Sequence, residues 1–443
     1  MRTPPDISPS AVAAALDGAG VASAGAVEVE RLSGGYSWVT LRVDTVERSV
    51  IVRVAPEGGT VEPYDPASEA RILRAVEGVV PAPAVLAVEG SADNPIGRPF
   101  GVYSLCPGSV VRRPENPESY RHAFADALAA IHRDGDPTAL TARPGAAGVV
   151  PTVGETYRRE LARVTDAFAD TWAHPGWIIA LRWLWARLPD SAEPGVVCHG
   201  DYRPANILWT APGEIGGVLD WERARAGDPL ADVAFTWHLA GWAALEGDLL
   251  DRYLAASGTH LDEERLAYAL RFERVRSHLS GSQGLRAFVD GRADDDRLVA
   301  VGESGEVGMW DLVEWIAGDP TGPEAPDLPP LDPAIVERSL ARGGYPVDDA
   351  VAGRVSDERL KAHLADWFGH DHDDLGRSLN ALGEFVHIDS SAVLSDPENV
   401  WGTVFADLCR AAATAGPELV GPVRALGARF ASRPTRFPKM EWR

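Results

Sequence analysis

Lysine is almost missing from this chain. Of its 42 basic residues only Lys361 and Lys439 are lysines, and the rest are arginines. Any task before residue 361 that calls for a cation therefore falls to a guanidinium, a planar fork, and not to an ammonium point charge. Cysteine is scarce as well. Cys106, Cys198 and Cys409 are far apart and form no CxxC pair, which excludes a disulfide framework and a cysteine-based zinc centre. No stretch approaches the roughly 18 apolar residues of a membrane span, so no membrane partner is expected. The residues from Met1 to Asp6 show no apolar core of a secretory signal, and the expected localisation is cytoplasmic. Positive charge is also short: 65 acids against 42 bases leave −23. Nucleic acid is not an expected partner, because its binders need a basic footprint. An acidic surface suits a cationic small substrate, and it equally serves solubility.

What is present reads as α+β. The 443 residues allow two to four domains at about 100–200 residues each. The first 110 residues read as strands with one helix. A Gly34-Gly35 turn sits between two strand-like runs, and Val50, Val52 and Val54 alternate with Ile51 and Arg53, which predicts a strand with two unlike faces. Asp65-Pro66 gives a helix cap and a proline at the first helical position. Glu69, Ile72, Leu73 and Val76 then share one helical stripe. From about residue 117 the pattern is mainly helical, over 118–133, 153–170, 174–188 and much of 229–317. Two short strands interrupt it, at Val196-Val197-Cys198 and Val218-Leu219. Six prolines between Pro320 and Pro333 mark a linker. Beyond it, four apolar stripes begin at Leu360, Leu375, Val400 and Leu419.

The chemistry concentrates in His199-Gly200-Asp201-Tyr202-Arg203-Pro204-Ala205-Asn206 and, fourteen residues on, Asp220-Trp221-Glu222. Phosphoryl transfer from ATP needs a carboxylate near the attacking hydroxyl and oxygen ligands for magnesium beside the phosphates. Asp201 and Asn206 in one loop, with Asp220 after the next short strand, supply that set on strand-supported loops.

These residues resemble the aminoglycoside phosphotransferase family of protein-kinase-like enzymes. Further segments match in order across about residues 25–315. Leu32-Ser33-Gly34-Gly35-Tyr36-Ser37 resembles the nucleotide loop, Ser104-Leu105-Cys106-Pro107-Gly108 the hinge beside the adenine, Leu128 to His132 a helix ending in Leu-His, and Gly227-Asp228-Pro229 the segment beyond. The resemblance implies a two-lobe fold: an N-terminal nucleotide-binding lobe over 1–107 with a small antiparallel sheet and a helix, and a mainly α lobe over 108–319. A linker over 320–333 and an all-α extension over 334–443 follow. It implies Asp201 as catalytic base or hydroxyl-orienting group, and Asn206 and Asp220 as ligands of Mg2+. ATP would be held by Ser33, Gly34, Gly35, Ser37, Arg53, Glu69, Ser104 and Cys106. Arg53 stands where the family usually has a phosphate-binding lysine, and Glu69 where a helix glutamate pairs with it. The residues support that pair independently. Glu69 shares its stripe with apolar residues, and a carboxylate facing a sheet needs a cation. Arginine at this position, with Asp-Trp-Glu downstream, resembles the branch found in acyl-CoA dehydrogenase fusions.

The expected activity is ATP- and Mg-dependent transfer of the γ-phosphoryl group to a hydroxyl of a small molecule. A hydroxyacyl-CoA or hydroxy acid is the alternative acceptor to an aminoglycoside-like one. A nucleotide-binding pseudokinase acting as a scaffold is the alternative class, and the intact Asp201, Asn206 and Asp220 argue against it. His199 is read as structural, Asp232 as a helix cap or brace, and Cys106 as a hinge residue and not a reactive thiol. Glu222 reads equally as a water-mediated magnesium neighbour or a structural acceptor. The run from His370 to Asp374 reads as a solvated helix start in preference to a metal site. The tail's apolar stripes are too large for a free solvated tail. They are expected to pack, docked beside the substrate cleft, paired in a homodimer through the C-terminal helices, or as a stability appendix with no contact to the site.

Overall fold

The structure is a computed structural model. It describes residues 7–21, 25, 27–32, 38–55, 65–141, 148–171, 175–293, 298, 302, 329–341 and 409–414. Ser33, Gly34, Gly35 and Ser37 lie outside the described residues, as do the stripes beginning at Leu360, Leu375, Val400 and Leu419 and the run 370–374. The architecture is α+β. By contacts the chain divides into two compact units, Met1–Tyr157 with Pro189–Glu273, and Arg158–Leu188 with Arg274–Arg443.

The first unit opens with α1 (Pro9–Gly18), then β1 (Glu28–Arg31), β2 (Val39–Asp44), β3 (Ser49–Val54), α2 (Pro66–Ala75), β4 (Val85–Glu89) and β5 (Phe100–Ser104). The five strands form one antiparallel sheet in the order β1-β2-β3-β5-β4. The period of two in β3 does what its sequence predicts. Val50, Val52 and Val54 are fully buried in a core with Val12, Ala15 and Leu16 of α1 and with Phe100 and Val102 of β5. Arg53 is therefore turned to the opposite face, where α2 supplies Glu69. Asp65 caps α2 by accepting from Ala67 N, as its sequence signals.

The sequence pattern predicts a single helix in this region, and the structure has two. Ser8 caps α1 through Ala11 N and Pro9 occupies its first turn. The helix was masked by its small residues: only Val12, Ala15 and Leu16 mark its buried face. It closes the side of the sheet that Val50, Val52 and Val54 present.

The remainder of the unit carries β6 (Ser109–Val110), α3 (Glu118–Asp134), α4 (Pro137–Thr141), the start of α5 (Val153–Ala169), β7 (Val196–Cys198), β8 (Ile207–Ala211), β9 (Glu214–Val218), β10 (Arg225–Gly227), α7 (Pro229–Leu239), α8 (Asp248–Ser257) and the start of α9 (Glu263–Val289). Strands β6, β8 and β9 form one small sheet, and β7 pairs with β10. These two sheets hold the loops that end β7 and β9. The glycine pair in β9 is required by closeness: a Cβ on Gly217 would lie 2.7 Å from the Cβ of Cys106, and one on Gly216 would strike the Pro107 carbonyl.

In the second unit, α6 (Pro175–Ala186) is buried almost all round. Trp177 stacks on Phe168, and Trp185 Nε1 donates to Thr165 Oγ1. Helix α10 (Pro333–Leu340) and the helical residues 409–414 join this unit through backbone contacts. Arg182, only 2% exposed, donates from Nε to the Pro329 carbonyl and from Nη1 to the Ala412 carbonyl. Leu331 N donates to Ala413 O, and Ser339 Oγ to Thr171 O. Among the described residues, no helix is long and apolar enough to cross a membrane.

Hydrogen bonds from a charged donor are each worth about 1.5–3 kcal/mol, and buried carbonyls left unpaired add to the loss. Arg182→Leu is therefore expected to lower the unfolding free energy by roughly 2–4 kcal/mol, and to expose residues 329–341 to limited proteolysis. A denaturant curve and digestion pattern matching the parent would show that Arg182 is not what holds this segment.

Candidate active site

The site is built where β7 and β9 end. Gly200 has φ +79°, a left-handed turn, and a Cβ there would meet the Arg223 carbonyl. Only glycine lets the chain turn here without strain. The turn aims the backbone N–H groups of His199 and Gly200 at Asp232, 2.6 and 2.8 Å from its carboxylate oxygens. The carboxylate is fully buried and also contacts His132 Nε2 at 3.1 Å. Burial alone would raise its pKa. His132, which also hydrogen-bonds the carboxylate, and Arg225 outweigh burial and bring it down to about 2.

His199 is the second brace. Asp201 N donates to its Nδ1 and its Nε2 lies 3.0 Å from the Leu219 carbonyl. The neutral tautomer protonated on Nε2 fits both bonds. Burial pushes the imidazole pKa down despite the nearby Asp232, Asp201 and Asp220, so the ring is a neutral strut. It also packs on Trp221, with centroids 4.5 Å apart.

Asp201 is 7% exposed. Asn206 Nδ2 donates to both the backbone oxygen and Oδ2 of Asp201, each at 2.9 Å. Leu219 N donates to the Asn206 carbonyl at 2.8 Å. The loop carrying Asp201 and Asn206 and the turn carrying Asp220 are thus one hydrogen-bonded piece. Asp220 is left-handed, with φ 67° and ψ 60°, and no other described non-glycine residue has a positive φ. Aspartate tolerates this better than most residues, yet it remains a strained position. Its side chain is about one-third exposed and projects beside Arg53 Nη2, 3.7 Å away.

Arg53 pairs with Glu69 through Nη1 and donates to Glu222 Oε2 through Nη2 at 3.3 Å. Its guanidinium carbon lies 5.3 Å from the Trp38 ring centroid. Burial opposes its charge, but Glu69, Asp220 and Glu222 more than compensate and hold the guanidinium above its ordinary pKa. Glu69 is raised by burial, against the pull of Arg53 and of the Tyr103 hydroxyl, which donates to its Oε2 at 2.8 Å. The two shifts do not mirror each other because Arg53 faces three anions and the more deeply buried Glu69 faces one cation.

Ser104 and Cys106 lie at and just beyond the end of β5. Ser104 Oγ accepts from Ala84 N at 2.8 Å and so secures the strand end. Cys106 is partly buried, and burial pushes its thiol pKa up, which keeps it protonated and unreactive. The sequence reading missed Tyr103, which its alternation with Val102 on a strand facing α2 would have placed, and the Arg53–Glu222 contact, for which no local pattern exists. It also missed Arg203, whose Nε sits 3.0 Å from Asp201 Oδ1. Oxygen donors from Asn206 and Asp220, with the Arg53–Glu69 pair beside them, make an arrangement able to hold a divalent cation and a polyphosphate next to a carboxylate.

Comparison with known proteins agrees with this chemistry. A family model described as Phosphotransferase enzyme family matches residues 28–269. Acyl-CoA dehydrogenase family member 10 of Mus musculus is 30% identical over 229 residues, 49% of this chain and 21% of that protein. Acyl-CoA dehydrogenase family member 11 of Gallus gallus is 26% identical, over 49% of this chain and 29% of that protein. The chain thus spans under a third of either relative. Viomycin phosphotransferase of Streptomyces vinaceus is 29% identical over 53% of this chain and 80% of its own length. A solved structure of a candidate aminoglycoside phosphotransferase from Ralstonia eutropha has the same fold, with a TM-score of 0.54 at 20% identity. That match covers 70% of this chain and 99% of the other.

The Asp232 brace has a measurable signature. Its carboxyl goes from an ordinary 3.8 to about 2 on folding, so it adds roughly 2 kcal/mol that is present above pH 4 and is lost as the pH falls toward 2. Asp232→Asn should be less stable than the parent at pH 5, and that gap should shrink by roughly 2 kcal/mol at pH 2 in denaturant titrations. A gap independent of pH would assign the brace to packing and not to charge.

Proposed function

This chain belongs to the phosphotransferase enzyme family, and we propose that it transfers the γ-phosphoryl group of ATP to a hydroxyl of a small molecule with the help of magnesium. The observation that carries this reading is the single hydrogen-bonded piece holding Asp201, Asn206 and Asp220 beside the Arg53–Glu69 pair. Asp201 orients the acceptor hydroxyl and takes its proton as the oxygen attacks the γ-phosphorus and the bond to the β-phosphate oxygen breaks. Asn206 uses its Nδ2 on Asp201, which leaves its Oδ1 as the atom it can offer a metal. With the Asp220 carboxylate this makes a set of hard oxygen donors of the kind magnesium takes. When bound, magnesium neutralises charge on the β- and γ-phosphate oxygens. Arg53 has its two terminal nitrogens on Glu69 and Glu222. The guanidinium, 3.7 Å from the Asp220 carboxylate, is read as the cation that meets the α- or β-phosphate.

The acceptor is read as a hydroxyl on a cationic, antibiotic-like molecule. Similarity to viomycin phosphotransferase and the −23 charge favour it. A hydroxyacyl-CoA or hydroxy acid is the second reading, favoured by similarity to the acyl-CoA dehydrogenase family members. A cytoplasmic location fits the three free cysteines, two of them buried.

Asp201→Asn is expected to lower turnover at least ~100-fold with ATP affinity nearly unchanged. Asp220→Ala should abolish turnover and remove the magnesium dependence of ATP binding. Calorimetric ATP titrations with and without magnesium, with steady-state rates on a panel of small alcohols, check both. Turnover surviving Asp201→Asn would end the proposed role of that carboxylate.

A further inference from the structure

Resting on the phosphotransferase reading, we infer that Arg203 is a catalytic residue whose guanidinium holds the transferring phosphoryl group. The backbone pins it there. Arg203 is extended, with φ −154° and ψ 159°, and directly precedes Pro204, which opens the short 3-10 turn to Asn206. The residue before a proline is confined to extended geometry, so Arg203 departs from a fixed point two residues beyond Asp201.

Its contacts leave its charge available. Nε lies 3.0 Å from Asp201 Oδ1, an ion contact, yet the N–H is not aimed at that oxygen and Nε has no hydrogen-bond partner among the described residues. Asp201 Oδ2 is held by Asn206 at 2.9 Å. Oδ1 is therefore the oxygen open to an acceptor hydroxyl, and Arg203 stands beside it. Its side chain is about one-third exposed, unlike Arg53, which is 15% exposed and has both terminal nitrogens on carboxylates.

Charge decides what Arg203 is for. Glu69, Asp201, Asp220 and Glu222 put four carboxylates around the site, and Arg53 answers three of them. A triphosphate brings further negative charge to the end nearest Asp201. No lysine exists before residue 361 to meet it. A planar guanidinium donates two parallel N–H bonds to phosphate oxygens. In the step, the acceptor oxygen forms its bond to the γ-phosphorus and its proton passes to Asp201 Oδ1. The bond from the γ-phosphorus to the β,γ-bridging oxygen breaks, and the electron pair leaves on ADP. Arg203 stays protonated throughout and moves from Oδ1 to the phosphoryl oxygens as the hydroxyl takes its place. A preorganised donor of this kind is worth about 10²–10³ in rate.

The test uses the full chain, with Arg203→Met and Arg203→Lys. Magnesium-dependent binding of ADP and of the β,γ-imido analogue of ATP is measured by calorimetry. ATP turnover is measured with water and with the alcohol panel as acceptors. The parent is expected to prefer the imido analogue over ADP by about tenfold. Arg203→Met should lose that preference with ADP affinity within twofold of the parent, and turnover should fall about 10²–10³-fold with the ATP KM little changed. Arg203→Lys, which keeps charge without the fork, should recover part of both. Arg203→Met with the triphosphate preference intact, or with ADP and analogue binding weakened equally, would overturn the proposal, as would a parent with no preference. A parent with no magnesium-dependent ATP turnover on water or on any alcohol of the panel would instead sink the phosphotransferase reading, and the binding comparison would still decide the role of Arg203.

Discussion

A fully buried carboxylate, Asp232, fixes the geometry of everything around the candidate active site. Taking an ionised carboxylate out of water is tolerable only when its lone pairs are met by good donors. Here the donors are the backbone amides of His199 and Gly200 together with His132. Each bond constrains something else. The Gly200 amide can point at Asp232 only because residue 200 turns left-handed against the Arg223 carbonyl. The His199 amide places a ring that links Asp201 N to the Leu219 carbonyl, and Leu219 in turn donates to Asn206. The loop bearing Asp201 and Asn206 and the turn bearing Asp220 are therefore positioned from one anchor.

The scarcity of lysine shapes the other half of the site. An ammonium at position 53 would be a compact charge for one or two oxygens. The guanidinium spreads its donors, so one side chain on β3 reaches Glu69 on α2 and Glu222 in the turn after β9. Arg53 thus joins the five-stranded sheet to the Asp220 turn through the side chains of the site itself. Trp38, with its ring 5.3 Å from the guanidinium carbon, covers what the carboxylates leave.

Much of this was legible in the sequence, for identifiable reasons. The two-faced β3 strand and the cap of α2 were readable because period and cap chemistry are local signals, and the burial of Glu69 followed from its stripe. Helices over 118–133 and 153–170 were placed within a residue or two, because large apolar residues recur there at helical spacing. Strand β8 went unseen because Ile207-Leu208-Trp209 directly follows the Pro204–Asn206 turn and is only five residues long. Helix α1 was missed because alanine marks a buried face weakly. Asp201, Asn206 and Asp220 stood out as candidates by spacing and resemblance. The neighbours Tyr103 and Arg203, and the contact of Glu222 with Arg53, became visible only when β5, the Asp220 turn and the Asp201 loop were brought together in space.

The left-handed backbone at Asp220 bears on how such a protein can change over time. Most residues at φ 67° would strain the turn, whereas asparagine and glycine accept that conformation readily. Both are one nucleotide change away from an aspartate codon. The substitutions that the fold tolerates best at this position are therefore the ones that delete its carboxylate. A lineage released from selection on that carboxylate could lose it in one step and keep the fold. Conversely, an aspartate retained at so permissive a backbone position would be a sign of selection for what its side chain does.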